Sequence, residues 1–124
     1  MTQENVFSLR NILENKQLTL KELEELIPIL NIMTKKIRSN VLSLNALASY
    51  QRGNKDKIKK IQNDVNSTIQ RWKDHISRLG GYPQGLWKVE FLWDGKKLYW
   101  EFPNSYVTLE QGQVFPTKTN EHIN

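Results

Sequence analysis

An α+β fold is predicted by three features: a long amphipathic run from Thr19 to about Gln51, a second from Asn54 to Leu79, and an aromatic stretch from Trp87 to Phe102 that alternates on either side of Asp94-Gly95. The first two have helical periodicity and the third has strand periodicity. The expected architecture is a long antiparallel helical hairpin with a small antiparallel β-sheet packed at its base, plus a short N-terminal helix. One domain is expected, divided into an N-terminal segment (1–18), the helical hairpin (19–79), a β segment (86–116) and a frayed tail (117–124).

The first long helix announces its own start. Thr19 can accept a hydrogen bond from the backbone N–H of Glu22, and the Glu22 carboxylate can reach back to the N–H of Thr19. Leu18 and Leu23 flank this cap as a hydrophobic staple. Glu22, Glu24 and Glu25 put negative charge at the positive end of the helix dipole. Apolar residues then recur at Leu20, Leu23, Ile27, Leu30, Met33, Ile37, Val41, Leu44 and Ala48, three or four apart, which keeps them on one face. At about 1.5 Å per residue the run is roughly 45–50 Å long. Pro28 lies inside it, and a kink is expected near Glu24–Pro28. Leu26, Ile29 and Ile32 widen the apolar stripe in the first half, so that half is expected to be covered on more sides.

Ahead of this helix, Val6, Leu9, Ile12 and Leu13, with Asn5 as a cap, suit a short helix. It would pack on the widened half of the long one or serve as a detachable segment for a partner. After Tyr50, Gly53 suits the left-handed C-terminal position and Asn54 suits the cap of the next helix. That helix carries Ile58, Ile61, Val65, Ile69, Trp72, Ile76 and Leu79, and ends at Gly80-Gly81-Tyr82-Pro83. The short connection makes the two helices antiparallel neighbours, so the start of the first lies beside the end of the second.

Asp94-Gly95 is a two-residue hairpin turn signal. It sets a register of Trp93 with Lys96, Phe91 with Leu98, Val89 with Trp100 and Trp87 with Phe102 on one face. Lys88 with Glu101, Glu90 with Tyr99 and Leu92 with Lys97 share the other. Opposite charges at Lys88 and Glu101 favour this register, and a slip by one residue would put three tryptophans in water. A hairpin alone is marginal, so its aromatic face needs the base of the helices. Tyr106–Leu109 is a candidate third strand. Gly112 and Pro116 punctuate the remainder, and Thr117–Asn124 is expected to fray.

Composition narrows the function classes. The chain has 124 residues, 25% of them charged, a formal net charge of +5 and no cysteine, which excludes disulfides and thiolate metal sites. No apolar run reaches the length of a membrane span, and the N-terminus lacks a secretory pattern. A cytoplasmic protein that is not integral to a membrane is expected.

Several stretches are similar to a bacterial family designated domain of unknown function 2203. Thr19-Leu20, then acidic residues and Leu26-Ile27-Pro28-Ile29-Leu30, resembles its opening. Gly85-Leu86-Trp87, Phe91, Tyr99-Trp100-Glu101-Phe102-Pro103 and Glu110-Gln111-Gly112 resemble its later part. The resemblance covers roughly residues 18–112 and implies a long helical hairpin with a small β segment, with no established activity. Two departures stand out. Where the family carries an aromatic-rich run with a histidine, this chain has Tyr106-Val107-Thr108-Leu109. The Phe and Arg common after the glycine are replaced by Gln113-Val114.

Candidate sites are few. Arg52, Lys55, Lys57, Lys59 and Lys60, offset by Asp56, cluster at the tip of the helical hairpin. They are either an anion-binding patch, for nucleic acid, an acidic protein or a membrane surface, or a solvated helix end. Only Tyr50 interleaves an aromatic there, which weakens the nucleic-acid version. His75 and His122 are the two histidines. His75 neighbours Trp72, Ile76 and Leu79 at helical spacing and reads as a boundary residue. No catalytic residues, metal ligands or cofactor are assigned. Glu90 and Tyr99 read as a surface pair, with a catalytic pair as the alternative. Trp87, Trp93 and Trp100 suit core packing, with stacking on a ligand as the alternative.

The leading functional expectation is a non-enzymatic interaction protein that uses its helical surfaces. Two helices cannot bury all their apolar faces over this length, so a protein partner or a homodimer is expected. Ile29, Ile32, Leu42 and Leu47 are the residues expected to remain exposed. An anion, nucleic-acid or anionic-membrane-surface binder through the tip is the alternative. An enzyme comes third.

Overall fold

The computed structural model describes residues 19–115. The expected N-terminal helix, the staple residue Leu18, His122 and the expected frayed tail lie outside the described residues. Helix α1 is Leu20–Ser49 and helix α2 is Lys55–Arg78. Five strands follow: β1 Tyr82–Gly85, β2 Lys88–Trp93, β3 Lys96–Glu101, β4 Val107–Thr108 and β5 Val114–Phe115. They form one antiparallel sheet in the order β1-β2-β3-β4-β5, a simple meander. The fold is α+β, with the two helices packed against each other and against one face of the sheet.

Helix α1 begins with the capping box that its sequence encodes. The Glu22 N–H donates to Thr19 Oγ1 at 3.1 Å, and the Thr19 N–H donates to Glu22 Oε1 at 3.0 Å. All nine residues of the predicted apolar stripe are buried or half-buried. Pro28 does not end the helix. It lies at an exposed position, where water can replace the donor that the Glu24 carbonyl loses. Of the residues that widen the stripe in the first half, Leu26 is covered by described residues. Ile29 and Ile32 lie outside the interior stripe, and among the described residues nothing covers them.

The connection is as tight as the sequence implies. Gly53 has φ +87°, and the Lys57 N–H donates to Asn54 Oδ1 at 3.2 Å. Helix α2 closes in a Schellman motif: Gly81 N–H donates to Ile76 O at 3.0 Å and Gly80 N–H to Ser77 O at 3.1 Å. Gly80 takes the left-handed position, φ +91°. Gly81 serves a different need. A Cβ there would stand 2.5 Å from Val89 Cγ1, 3.0 Å from Phe91 Cε1 and 3.1 Å from Ile76 Cγ2. The bare backbone is what lets β1 start flush against α2 and β2.

The sheet is larger than a hairpin with one extra strand. Tyr82 and Pro83, read in the sequence as the end of a stop signal, open strand β1, which pairs with β2. Pro83 removes one donor, and the register shifts between Pro83 and Gly85; this is tolerable on an edge strand. The β2–β3 register is the predicted one at every pair from Lys88↔Glu101 to Trp93↔Lys96. Asp94 and Gly95 both have positive φ, +50° and +75°, the signature of a type I′ turn. The third strand exists but is only two residues long, and Val114–Phe115 adds a fifth.

One cluster joins the elements. Leu23, Ile27 and Leu30 of α1 and Trp72 and Ile76 of α2 meet Val89, Phe91, Leu98, Trp100, Val107 and Phe115 of the sheet. Trp100 is buried, and its indole N–H donates to Asn104 O at 2.8 Å. Asn31 Nδ2 of α1 donates to the same carbonyl at 2.9 Å, which ties the loop after the cis Phe102–Pro103 bond to the helix. Trp87 packs edge-on against Trp72 at 5.1 Å and 80°, and Trp93 packs against Phe115 at 5.1 Å. Trp87 holds a left-handed backbone, φ +68°, which costs a bulky residue about 1–2 kcal/mol. Its ring contact and the Phe102 N–H donated to its carbonyl at 2.9 Å hold it there.

At the centre, Trp72 Nε1 donates to Thr34 Oγ1 at 2.9 Å, both side chains fully buried. Thr34→Val keeps the shape and removes the acceptor, so the indole N–H is stranded. The expected loss of stability is about 1–3 kcal/mol, read as a lower urea midpoint, whereas Thr34→Ser keeps the hydroxyl and costs less. Gly81→Ala is expected to cost about 1–3 kcal/mol by overpacking, because Val89 is short and stiff and cannot move aside. An unchanged midpoint for Gly81→Ala would contradict the close approach.

Candidate interaction surface

The base and the tip of the helical hairpin are built differently. At the base, α1, α2 and the sheet cover one another. Toward the tip, Val41 and Ile61 are buried but stand outside the main cluster, and among the described residues no strand is packed there. A helix pair without a third layer leaves apolar side chains uncovered. Ile29 is 53%, Ile32 73%, Leu42 51%, Leu47 48% and Tyr50 83% exposed. The first four are the residues that sequence reasoning singled out, and all belong to α1.

Their placement around the helix is uneven. With 3.6 residues per turn, Glu25, Ile29, Ile32, Lys36, Ser43 and Tyr50 form one ridge on the side of α1 turned away from the core, while Leu47 borders the groove between the helix ends. Leu42 stands about a third of a turn from that ridge. Helix α2 has no counterpart. Its exposed residues, among them Asn63, Asn66, Ser67, Gln70, Lys73 and Asp74, are polar. The apolar excess therefore belongs to one helix.

The five tip cations are all exposed, as is Asp56. Lys57, Lys60, Asp64, Gln51, Leu47 and Ile61 line an open groove of about 330 Å³ between the helix ends. Asp56 is the one acidic residue in the first turn of α2, while Lys55 and Lys57 meet the positive end of the dipole.

A second depression, of about 430 Å³, lies on the sheet face away from the helices. Gln84, Lys88, Tyr99, Thr108, Leu109, Glu110 and Gly112 line it. The Lys88 ammonium stands 5.3 Å from the centre of the Tyr99 ring, a cation–π contact across the strand pair. Sequence reasoning missed this depression. Lys88 and Tyr99 were visible as outer-face residues, but Gln84 and Thr108 join them only through β1 and β4. Glu90 and Tyr99 face each other across β2 and β3, half-buried. His75 is exposed, with Arg78 Nη2 3.3 Å from its Nδ1. Trp87, Trp93 and Trp100 are packed into or against the core.

Among the described residues, no three His, Asp or Glu side chains are placed to hold a metal ion, and no helix is long and apolar enough to cross a membrane. No protein-family profile, curated protein or solved structure matches this chain.

The tip carries an electrostatic cost that can be measured. Lys55→Glu replaces an unfavourable charge at the dipole by a favourable one and is expected to stabilise the fold by about 0.3–1 kcal/mol at low salt. The gain should shrink in high salt as the charges are screened. A loss of stability on this substitution would show that Lys55 makes a favourable contact in the folded chain.

Proposed function

We propose that this chain is a non-enzymatic protein-interaction module that docks through the outer face of α1. The observation that carries the reading is the contrast between the two helices: α1 exposes Ile29, Ile32, Leu42 and Leu47, and α2 exposes polar residues. Burying a large apolar side chain is worth about 1.5–3 kcal/mol, so a few such residues on a rigid helix supply a docking stripe of the helix-packing kind. The proposal includes a cytoplasmic setting. It also includes membership, as a divergent case, of the domain of unknown function 2203 family, which adds a shape and no activity.

The exposed cations at the tip favour a second reading, an anion-binding end for nucleic acid or an anionic membrane surface. It is the weaker one. Tyr50 is the one aromatic at the tip, and single-strand binding relies on several aromatic platforms beside the charge.

A photoreactive amino acid placed at Ile32 tests the docking face in the cell that makes the protein. Irradiation is expected to join the chain to a discrete polypeptide, either another protein or another copy. The same group at Asn66, exposed on α2, is expected to give none. Equal yields at the two positions, or none at Ile32, would remove α1 as the docking face.

A further inference from the structure

Charge is unevenly divided along the molecule. Between residues 35 and 60 the chain holds eight lysines and arginines and a single carboxylate, Asp56, a formal charge of +7. The rest of the chain therefore sums to −2, since the whole is +5. Residues outside the described part are neutral in sum, with Arg10, Lys16 and Lys118 against Glu4, Glu14 and Glu121. The separation belongs to the described residues, and its dense end is the tip.

The arrangement of the tip cations selects their ligand. Arg52, Lys55, Lys57, Lys59 and Lys60 are all exposed. At 3.6 residues per turn, Lys55 and Lys59 fall on one side of α2 and Lys57 and Lys60 on nearly the opposite side. A nucleic-acid duplex lying along the hairpin meets one side and leaves the other in water. A flat anionic surface that meets the hairpin end-on is reached from both. From Asn54 to Lys60 the helix rises about 9 Å, close to the Debye length of about 8 Å at physiological salt. All five cations therefore act on a surface that touches the tip. Lys35 and Lys36 do not, because they lie roughly 20 Å back along α1 from Tyr50, more than two Debye lengths away.

The tip also carries the apolar part that contact with lipid uses. Tyr50, at the end of α1, is 83% exposed, and Leu47 is 48% exposed on the rim of the groove between the helix ends. A tyrosine offers a ring to the acyl boundary and a hydroxyl to the headgroup layer. One exposed aromatic is too few for stacking along a single strand, but it suits an interfacial anchor. Lys55 and Lys57 oppose the dipole of α2 in the free chain. A layer of lipid phosphates at the tip is attracted by the lysines and by the dipole together. Asp56 at the tip and Asp64 in the groove reduce this attraction without reversing it.

We infer that the tip docks end-on on an anionic lipid surface, with Tyr50 at the headgroup level and the lysines of α2 around it. This rests on the second reading, the anion-binding tip, and chooses the lipid surface over nucleic acid. The sheet, packed at the base, stays in water, and the outer face of α1 runs away from the surface and remains free for a partner.

The test is sedimentation of the chain with vesicles of phosphatidylcholine alone or mixed with phosphatidylserine, at low and high salt. Binding is expected on the mixed vesicles and not on phosphatidylcholine, with at least about a tenfold loss in high salt. A cation near the surface strengthens binding about fivefold. Lys55→Glu with Lys59→Glu, and separately Lys57→Glu with Lys60→Glu, should therefore each weaken it about a hundredfold or more. Lys35→Glu with Lys36→Glu should leave it within about threefold of the wild type. All of these lysines are exposed, and a thermal melt of each variant checks that it is folded. The chain has no cysteine, so a polarity-sensitive dye on Gln51→Cys should shift to the blue on mixed vesicles, and the same dye on Asn66→Cys should not. No binding to mixed vesicles, equal binding to phosphatidylcholine, a loss from only one of the two α2 pairs, or as large a loss from the α1 pair would overturn the inference. If the chain binds a DNA duplex in a salt-sensitive manner and no vesicle, the anion-binding tip stands and the lipid surface is refuted. If it binds neither, both fail.

Discussion

Trp72 holds the architecture together because it touches all three layers at once. It comes from α2, its ring packs against Trp87 at the entrance to β2, and its indole N–H reaches across to Thr34 of α1. Both partners of that hydrogen bond are withdrawn from water, and an unpaired indole N–H in that position would be expensive. The bond therefore fixes the relative height of the two helices, which apolar packing alone specifies only loosely. With that height set, Leu23, Ile27 and Leu30 come level with Ile76 and with the inward face of the sheet.

From this junction the molecule grows unequally in two directions. Toward the base, the Schellman turn and Gly81 let the chain pass from α2 straight into β1 without leaving the core. The meander then seals the helices from below, and Asn104 accepts from both Asn31 and Trp100 to close it. Toward the tip, among the described residues, the helices run on with only each other for cover. A helix has one face toward its neighbour and the rest toward solvent, so any further apolar residue on it is exposed. Helix α2 meets this constraint with a polar outer surface. Helix α1 does not, and the contrast makes it the surface of interest.

Much of this was legible in the chain. The capping box at Thr19, the stripe from Leu20 to Ala48, the Gly53-Asn54 connection and the β2–β3 register all follow from local rules. The side-chain period and the turn chemistry agreed at each of them. The exposure of Leu42 and Leu47 was legible as well, because they fall off the stripe, whereas Ile29 and Ile32 could be read either as part of a covered half or as exposed. Less was legible beyond Phe102. Val107–Thr108 and Val114–Phe115 are too short to show a period, and Tyr82–Gly85 carries the glycine and proline of a turn. The depression lined by Gln84, Lys88, Tyr99 and Thr108 was hidden for the same reason. It draws on strands that exist only because a neighbouring strand supplies their partners.

The sequence by itself determined the elements whose stability is local: two capped amphipathic helices, and a hairpin held in register by Asp94-Gly95 and by alternation. Their hydrogen bonds close within a few residues, so a short window contains the information. Only the tertiary structure decided which apolar residues have company. Among the described residues Leu26 is covered and Ile29 is not, although three residues separate them. Tyr82–Gly85 is a strand because β2 lies beside it, and Trp87 accepts a left-handed backbone because Trp72 meets its ring. Burial and edge pairing depend on what arrives from elsewhere in the chain, and no local pattern records that arrival.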